Sequence, residues 1–475
     1  VSVDLDLAFT SAVDMARALA SREVSPVELV DNALARIEQV NPQLNSFCFV
    51  WHEQARAAAR RAADDIAAGR PLGPLHGVPI ALKDTTPTAG HTTTLGSYTH
   101  QHWVPERSAH IAVALAAAGA IVVGKTTTPE FAHAGITDSP LWGTTHNPWI
   151  HDRSPGGSSG GSGAAVAAGC VPLAEGSDMG GSVRIPASWC GVVGLKPSLG
   201  RIPMDVLPGL FDNLSHHGPL ARTVDDARLF TAVAQGPDDV DIQSLPRLDA
   251  LDRPLGCDVR GLRIALSVDL GAWAVHPEID AAVRVTAEAL SDAGADVHEV
   301  AIAGSGRVEE LWAELWAVFM AAYYGHLVDE FGTQMSPSLL RYIEWGSSMT
   351  AVHYKRLEIE RTAWWHEVAR VFEGHDAILC PTMAQPPAPA RLADAPESEE
   401  VGDGLYHSDD ITSVWNLVGQ CPAISVPCGV HRDPEHGGAP IGAQVVARRW
   451  ADDVALRVGA AIEASDLYPS RRPLT

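Results

Sequence analysis

The chain has 475 residues, 46% hydrophobic and 19% charged, which is ample for a large buried core. Its formal charge of −24, from 58 acidic and 34 basic residues, repels phosphate backbones and anionic lipid and so disfavours nucleic-acid partners. The longest uncharged apolar run, Ile111 to Gly124, is too short to cross a bilayer, and Val1 to Thr10 carries Asp4 and Asp6 but no basic residue, unlike a secretory signal.

From Ala12 to about Ala68 the pattern predicts helices. Ser25-Pro26-Val27-Glu28 is a helix start, with Ser as cap, Pro at the first helical position and Glu in the first turn. Leu29, Ala33, Ile37 and Val40 follow at helical spacing, and Asn41-Pro42 is expected to stop that helix. Val78 to Leu82 reads as a buried strand with Lys83-Asp84 at its end. A helix over His110–Ala118 and a strand over Ala120–Val123 follow. The small, apolar stretch Gly161 to Ala168 suits a helix packed closely on a sheet, and His216-His217 reads as a loop pair. Gly261 to Leu266 reads as a later strand, Ile279 to Ala293 as the helix after it, and Arg307 to Phe372 as long helices rich in aromatic residues. Strands alternating with helices argue for an α/β fold. Pro386 to Glu400, rich in Pro, Ala and acids, reads as a mobile surface loop. No repeat of 20 to 50 residues recurs, so a solenoid is excluded.

The seven cysteines (Cys48, Cys170, Cys190, Cys257, Cys380, Cys421 and Cys428) are scattered and form no C-x-x-C. They read as reduced, mostly buried thiols of a cytoplasmic protein. The 20 histidines contain no H-E-x-x-H or H-x-x-x-H, so no metal site is expected among them.

Chemistry concentrates between Ser154 and Pro203, where SPGGSSGGSG is followed by GSDMGGSVR. So many glycines mark backbone that turns sharply or approaches something closely. In Gly180-Gly181-Ser182, consecutive amides with little side-chain cover can face one developing oxyanion, with a hydroxyl beside them. A flexible Gly/Ser linker is disfavoured by the run Ala164 to Ala168. A phosphate loop is disfavoured because no lysine follows the last glycine.

This stretch, GGSSGGS…GSD-x-GGS-V-R-x-P…CG-x-x-GLKP, closely resembles the amidase-signature family. So do Pro79 to Asp84, Gly124 to Phe131, Gly143 to Trp149, and Asn416, Gly419 and Pro422-Ala423. The resemblance implies a single-domain α/β/α sandwich around a large mixed twisted sheet. Within it, 1–70 would be an N-terminal helical part, 75–240 the catalytic core and 300–400 a variable helical part over the substrate pocket. It implies hydrolysis of small to medium, possibly aryl, amides, carbamates or hydrazides through an acyl-enzyme, by a monomer or homodimer, with no metal or organic cofactor. By position, Ser182 is the nucleophile, Ser158 the relay, preceded by a cis peptide bond, and Lys83 the base. The backbone amides of Met179, Gly180, Gly181 and Ser182 are the oxyanion donors, and Ser159, Ser177, Asp178 and Arg184 form the supporting network. Lysine at its usual pKa of about 10.4 cannot accept a proton at neutral pH, so Lys83 is expected to be buried, largely neutral and within reach of Ser158. Lys125 and Lys196 read as structural.

The family's pocket is covered by the variable helices and the loop after Glu130. Trp312, Trp316, Phe319, Met320, Tyr323 and Tyr324 recur at helical spacing, mostly as core. Trp316, Phe319 and Met320, with Ile136 and Trp142, are the pocket candidates. Two alternatives stand beside this reading. Gly156-x-Ser158-x-Gly160 fits the nucleophile elbow of an α/β-hydrolase, with Ser158 as nucleophile and His407 or His431 as base. The amide-cleaving component of a tRNA-dependent amidotransferase, its A chain, shares the signature.

Overall fold

The structure, a computed structural model, describes residues 2–302, 307–391, 393, 406–468 and 471–474. Residues 392 and 394–400 of the expected Pro386–Glu400 loop lie outside the described residues.

Helices α1 (Leu5–Ala8), α2 (Ala12–Ser21) and α3 (Pro26–Leu44) open the chain. The reading of Ser25 holds in full: its side chain accepts from the Glu28 amide while the Glu28 carboxylate accepts from the Ser25 amide, a reciprocal cap. The expected stop at Asn41-Pro42 does not. α3 runs on to Leu44, because proline in the last turn removes only one intrahelical bond, and Asn45 ends the helix in the left-handed region at φ 50°. The Asn41 side chain instead accepts from the amides of Ser46 and Phe47, both at 2.8 Å, and turns the chain into strand β1 (Phe47–Val50). That strand interrupts the stretch expected to be all helical, and α4 (His52–Ala67) follows it.

The remaining elements in chain order are β2 (Pro79–Lys83), α5 (His110–Ala117), β3 (Ile121–Thr126), the two-residue pair β4 (Asp138–Ser139) and β5 (Gly143–Thr144), α6 (Gly160–Ala167), β6 (Leu173–Asp178), α7 (Arg184–Cys190), β7 (Val193–Lys196), β8 (His216–Ala221) and α8 (Val224–Ala234). Next come β9 (Arg263–Leu266), α9 (Pro277–Asp292), β10 (Asp296–Glu299), α10 (Val308–Tyr324), α11 (Val328–Phe331), α12 (Pro337–Ser347), α13 (Ala351–Gly374), β11 (Ala377–Pro381), β12 (Ala423–Val430), β13 (Pro440–Ala447) and α14 (Asp452–Ala464). His216 and His217 therefore belong to a buried strand, not to a loop.

Eleven strands form one sheet in the order β1-β3-β2-β6-β8-β7-β12-β13-β11-β9-β10. The trio β3, β2 and β6 is parallel, as is the trio β11, β9 and β10, while the strands between them pair antiparallel. The sheet is thus mixed, as expected. Strand alternation sorts its side chains onto two faces. Ile80, Leu82, Leu173, Leu195, Ile424 and Val445 pack with α2, α5, α8, α9 and α14. Ala81, Val123, Ala174 and Leu220 pack with α3, α4, α6 and α7. Further along, Ile378, Cys380 and Val446 pack under α10 and α13. Each fully buried Leu or Ile contributes about 1.5–3 kcal/mol by leaving water.

All seven cysteines are free; five are buried and Cys257 is exposed. Among the described residues no helix is long and apolar enough to cross a membrane.

Candidate active site

Lys83 is the last residue of β2, and period-two alternation from Ala81 turns it toward the face that carries α6. Its ammonium nitrogen is sealed from solvent, 2.6 Å from Ser158 Oγ and 3.0 Å from Ser177 Oγ. Burial pulls its pKa down to about 7, against the opposing pull of Glu175 and Asp178. The neighbouring Asp84 is not its partner: that carboxylate pairs with Lys125 at 3.8 Å and accepts from Thr94. Lys125 donates to the Thr86 carbonyl and to Thr93, and Lys196 to the Cys421 carbonyl, so both serve as braces for loops, as expected.

Ser158 sits on the turn before α6, and the Gly157–Ser158 peptide bond is cis, as the resemblance implied. The Ser159 amide donates to the Ser182 carbonyl at 3.2 Å and ties the two serine segments together. Ser159 Oγ also joins Ser177: it accepts from the Ser177 amide and donates to the Ser177 carbonyl, each at 3.3 Å. Glycine permits this closeness. A Cβ on Gly161 would lie 2.4 Å from Thr127 Oγ1, so any side chain there would push α6 off β3. Ser182 is half-buried, and its hydroxyl has no hydrogen-bond partner among the described residues.

The loop between β6 and α7 hangs on a buried ion pair. Arg184 donates to Asp178 through Nε at 3.0 Å and NH2 at 2.8 Å. It also donates to Gln444 and Asn416, both at 2.7 Å, and to the Thr412 carbonyl at 2.9 Å. Burial alone would raise the Asp178 pKa; the Arg184 guanidinium outweighs it and holds the carboxyl well below the usual range. Asp178 accepts from the amides of Gly181 at 2.9 Å and Val183 at 3.2 Å. Gly181, expected among the oxyanion donors, therefore spends its N–H on the network. Its φ of +122° and a Cβ site 1.8 Å from Thr412 Oγ1 require glycine there. The carbonyls of the same loop are held from above, Met179 by Trp312 Nε1 at 2.9 Å and Gly180 by Thr412 Oγ1 at 2.6 Å.

Ser158, Ser177, Met179, Gly180 and Ser182 line one cavity of about 2260 Å3, larger than the usual 300–1,000 Å3 of a small-ligand site. Of the five pocket candidates, Ile136, Trp316 and Phe319 lie on its wall. Two do not. Trp142 packs its edge on Phe49 and donates Nε1 to Thr94 at 2.9 Å, because the turn between β4 and β5 carries it away from the serines. Met320 is wholly buried among Phe131, Trp316 and Leu339, on the inner side of α10.

The cavity also holds acids that the motifs did not announce. Glu309, Asp409 and Asp410 line it, and burial with neighbouring negative charge pushes Glu309 up to about 7 and Asp409 to about 6. Glu175, inside the apolar strand β6, was likewise missed, though an acid flanked by Ala174 and Gly176 in a strand is itself a signal. Among the described residues, His276, Glu278 and His431 have ligand atoms within 4.8 Å of one another and could hold a metal. Glu278 there already accepts from His431 Nδ1 at 3.0 Å and from the Arg432 amide at 3.1 Å, so the cluster is closed by its own hydrogen bonds. Of the two bases named for the Ser-His alternative, His431 is engaged by Glu278 and His407 lines the cavity, while the Ser158 hydroxyl partners Lys83.

Comparison with known proteins follows the same lines. The Amidase family model matches residues 28–456. The acylamidase of Rhodococcus erythropolis is 36% identical over 98% of both chains. The A chain of the glutamyl-tRNA(Gln) amidotransferase of Acidothermus cellulolyticus is 37% identical over 97% of this chain and 95% of its own. Among solved structures, a bacterial aryl acylamidase superposes with a TM-score of 0.89 at 29% identity, covering 97% of this chain and 96% of that one. A 6-aminohexanoate cyclic dimer hydrolase superposes at 0.84 and 30% identity, covering 98% and 99%. With a family match across most of its length, and with that sheet and that serine-rich turn, the chain belongs to the Amidase family.

Proposed function

We propose that this protein hydrolyses amide C–N bonds, with Ser182 as nucleophile, Ser158 as proton relay and Lys83 as base. One observation carries the reading: a fully buried lysine amine lies 2.6 Å from the hydroxyl of Ser158, on the wall of a cavity that Ser182 shares. An uncharged amine accepts the Ser182 proton through Ser158 as the Ser182 oxygen attacks the amide carbon. The amides of Met179, Gly180 and Ser182 face the developing oxyanion, while Gly181 secures the loop. Collapse breaks the C–N bond, the relayed proton leaves with the amine, and water cleaves the acyl-Ser182 ester by the same route. Ser159, Ser177, Asp178 and Arg184 hold the geometry.

The substrates we infer are small-molecule aryl or other bulky amides, with carbamates and hydrazides beside them. Trp189, Trp312, Trp316 and Phe319 on the cavity wall support this, as do relatives named acylamidase and aryl acylamidase. The identity to amidotransferase A chains favours a second reading, activity inside a larger complex. A panel of anilides, aliphatic amides, carbamates and esters, read as kcat/KM on the purified chain without ATP, separates the two. Anilide turnover that Ser182→Ala abolishes, together with covalent labelling by an acyl-directed probe, is expected. Labelling that survives Ser182→Ala overturns the nucleophile, and inactivity on every simple amide overturns the hydrolase reading.

A further inference from the structure

The base requires more than burial. A lysine that takes up the nucleophile's proton becomes an ammonium inside the protein, where an uncompensated charge is costly. Something must offset that cost without forming the direct ion pair that would keep the amine permanently charged. The carboxylates near Lys83 are few. Asp84 is turned to Lys125, beside Cys48, and Asp178 is neutralised by Arg184 with Lys196 behind it. His216 faces the carbonyls of Asp178, Leu214 and Gly419.

Glu175 remains. It lies on β6, beside β2, and is fully buried. Its Oε2 accepts from the backbone amide of Lys83 at 3.0 Å and from Thr86 Oγ1 at 2.8 Å. Its Oε1 accepts from His217 Nδ1 at 2.9 Å, across the antiparallel pair β6 and β8. The other nitrogen, His217 Nε2, is buried with no partner among the described residues, which fits an imidazole carrying its donor hydrogen on Nδ1. The carboxylate is thereby fixed by three donors, none of which is the lysine amine. Its charge acts on Lys83 through space, as an opposing pull to burial, and on Lys125 as well.

We propose that Glu175, clamped by His217 and Thr86, is a positioning residue that anchors the Lys83 backbone and supplies the fixed negative charge against which the catalytic ammonium forms. The inference rests on Lys83 being the base. Removing that charge disfavours the protonated amine, so the acid limb of activity moves to lower pH. It also disfavours the ammonium in the transition state, so kcat falls while KM, set at the cavity wall, stays.

The test is the pH dependence of kcat and kcat/KM on an anilide, for the full chain with cooperative thermal melting confirmed for each variant. Glu175→Gln keeps the size and the oxygen that accepts from the Lys83 amide and Thr86, turns its NH2 to His217 Nδ1, and removes the charge. Its acid limb is expected to move down by about one pH unit, with kcat lowered about ten-fold and KM within two-fold of wild type. Glu175→Asp, which restores the charge, should return the limb toward its wild-type position. His217→Gln, which keeps a donor to Glu175, should leave the limb in place; a limb that moves there belongs to His217 and overturns the proposal. So does a Glu175→Gln limb coincident with wild type. Should Glu175→Gln fail to melt cooperatively, Glu175→Asn takes its place with Glu175→Asp as the charged reference of equal length: a lower acid limb in Asn than in Asp is expected, and coincident limbs overturn the proposal. Wild-type activity in Lys83→Met is a different failure, that of the base assignment itself.

Discussion

Replacing Arg184 with methionine isolates what holds the loop that carries Ser182. Methionine fills most of the volume but leaves the buried Asp178 carboxylate without its paired cation, held only by Asn416, two amides and the more distant Lys196, with the Gln444 oxygen and the Thr412 carbonyl without their donor. Removing one partner of a buried pair costs about 3–5 kcal/mol. With an unfolding entropy of about 2.1 cal/mol/K per residue, a 475-residue chain gains about 1 kcal/mol per degree, so Tm should fall by about 3–5 °C. The pH dependence has a definite sign. In the wild type the Asp178 pKa is depressed, so its stabilisation is present at neutral pH and is lost only in strong acid. In Arg184→Met the largest pull against burial is gone, so the folded pKa rises from its depressed position. The penalty is then full at pH 8 and is relieved as pH falls through that raised value. Guanidinium unfolding at pH 8, 7, 6 and 5 should show the gap between the two proteins narrowing toward acid. Asp178→Asn on top of Arg184→Met should recover part of the loss, because no buried charge remains. A gap below about 1 kcal/mol at pH 7, or one that widens toward pH 5, refutes the argument.

Three further substitutions probe the loop and the wall. Gly181→Ala places a Cβ 1.8 Å from Thr412 Oγ1 at a backbone angle hostile to L-residues, so kcat should fall at least about ten-fold and the melting temperature should drop; a stable, fully active variant contradicts the packing. Phe319→Ala should raise KM for anilides several-fold, while Trp142→Phe should leave KM unchanged, since only the first side chain lines the cavity; equal effects on steady-state kinetics contradict that division.

The motif residues were legible because their chemistry constrains their neighbours in sequence. Asp178, Gly180, Gly181, Ser182 and Arg184 fall within one turn of chain, and a loop that must place amides, a hydroxyl and a buried ion pair together leaves little freedom of residue type. The pocket was harder to read. Trp316 and Met320 sit one helical turn apart on α10, and both fit an apolar stripe. Which of them lines the cavity depends on how α10 leans on Phe131 and on α12, a fact of packing between distant segments. Asn41-Pro42 misled for a related reason. Proline ends a helix only where the lost bond matters, and here Asn41 had a second use in starting β1.

By itself the sequence determined the alternation of strands and helices, the reciprocal cap at Ser25 and the serines, glycines and lysine of the signature, because each is set by local sterics or by residue chemistry. Tertiary structure alone decided that Asp84 pairs with Lys125 and not with Lys83, that Gly181 gives its amide to Asp178, and that Glu175 lies against the Lys83 backbone. The first and last of those pairings join segments far apart in the chain, where the sheet's register, which no local pattern encodes, chooses among equally reachable partners; the Gly181 amide, three residues from Asp178, is aimed by the loop that the Arg184 ion pair holds.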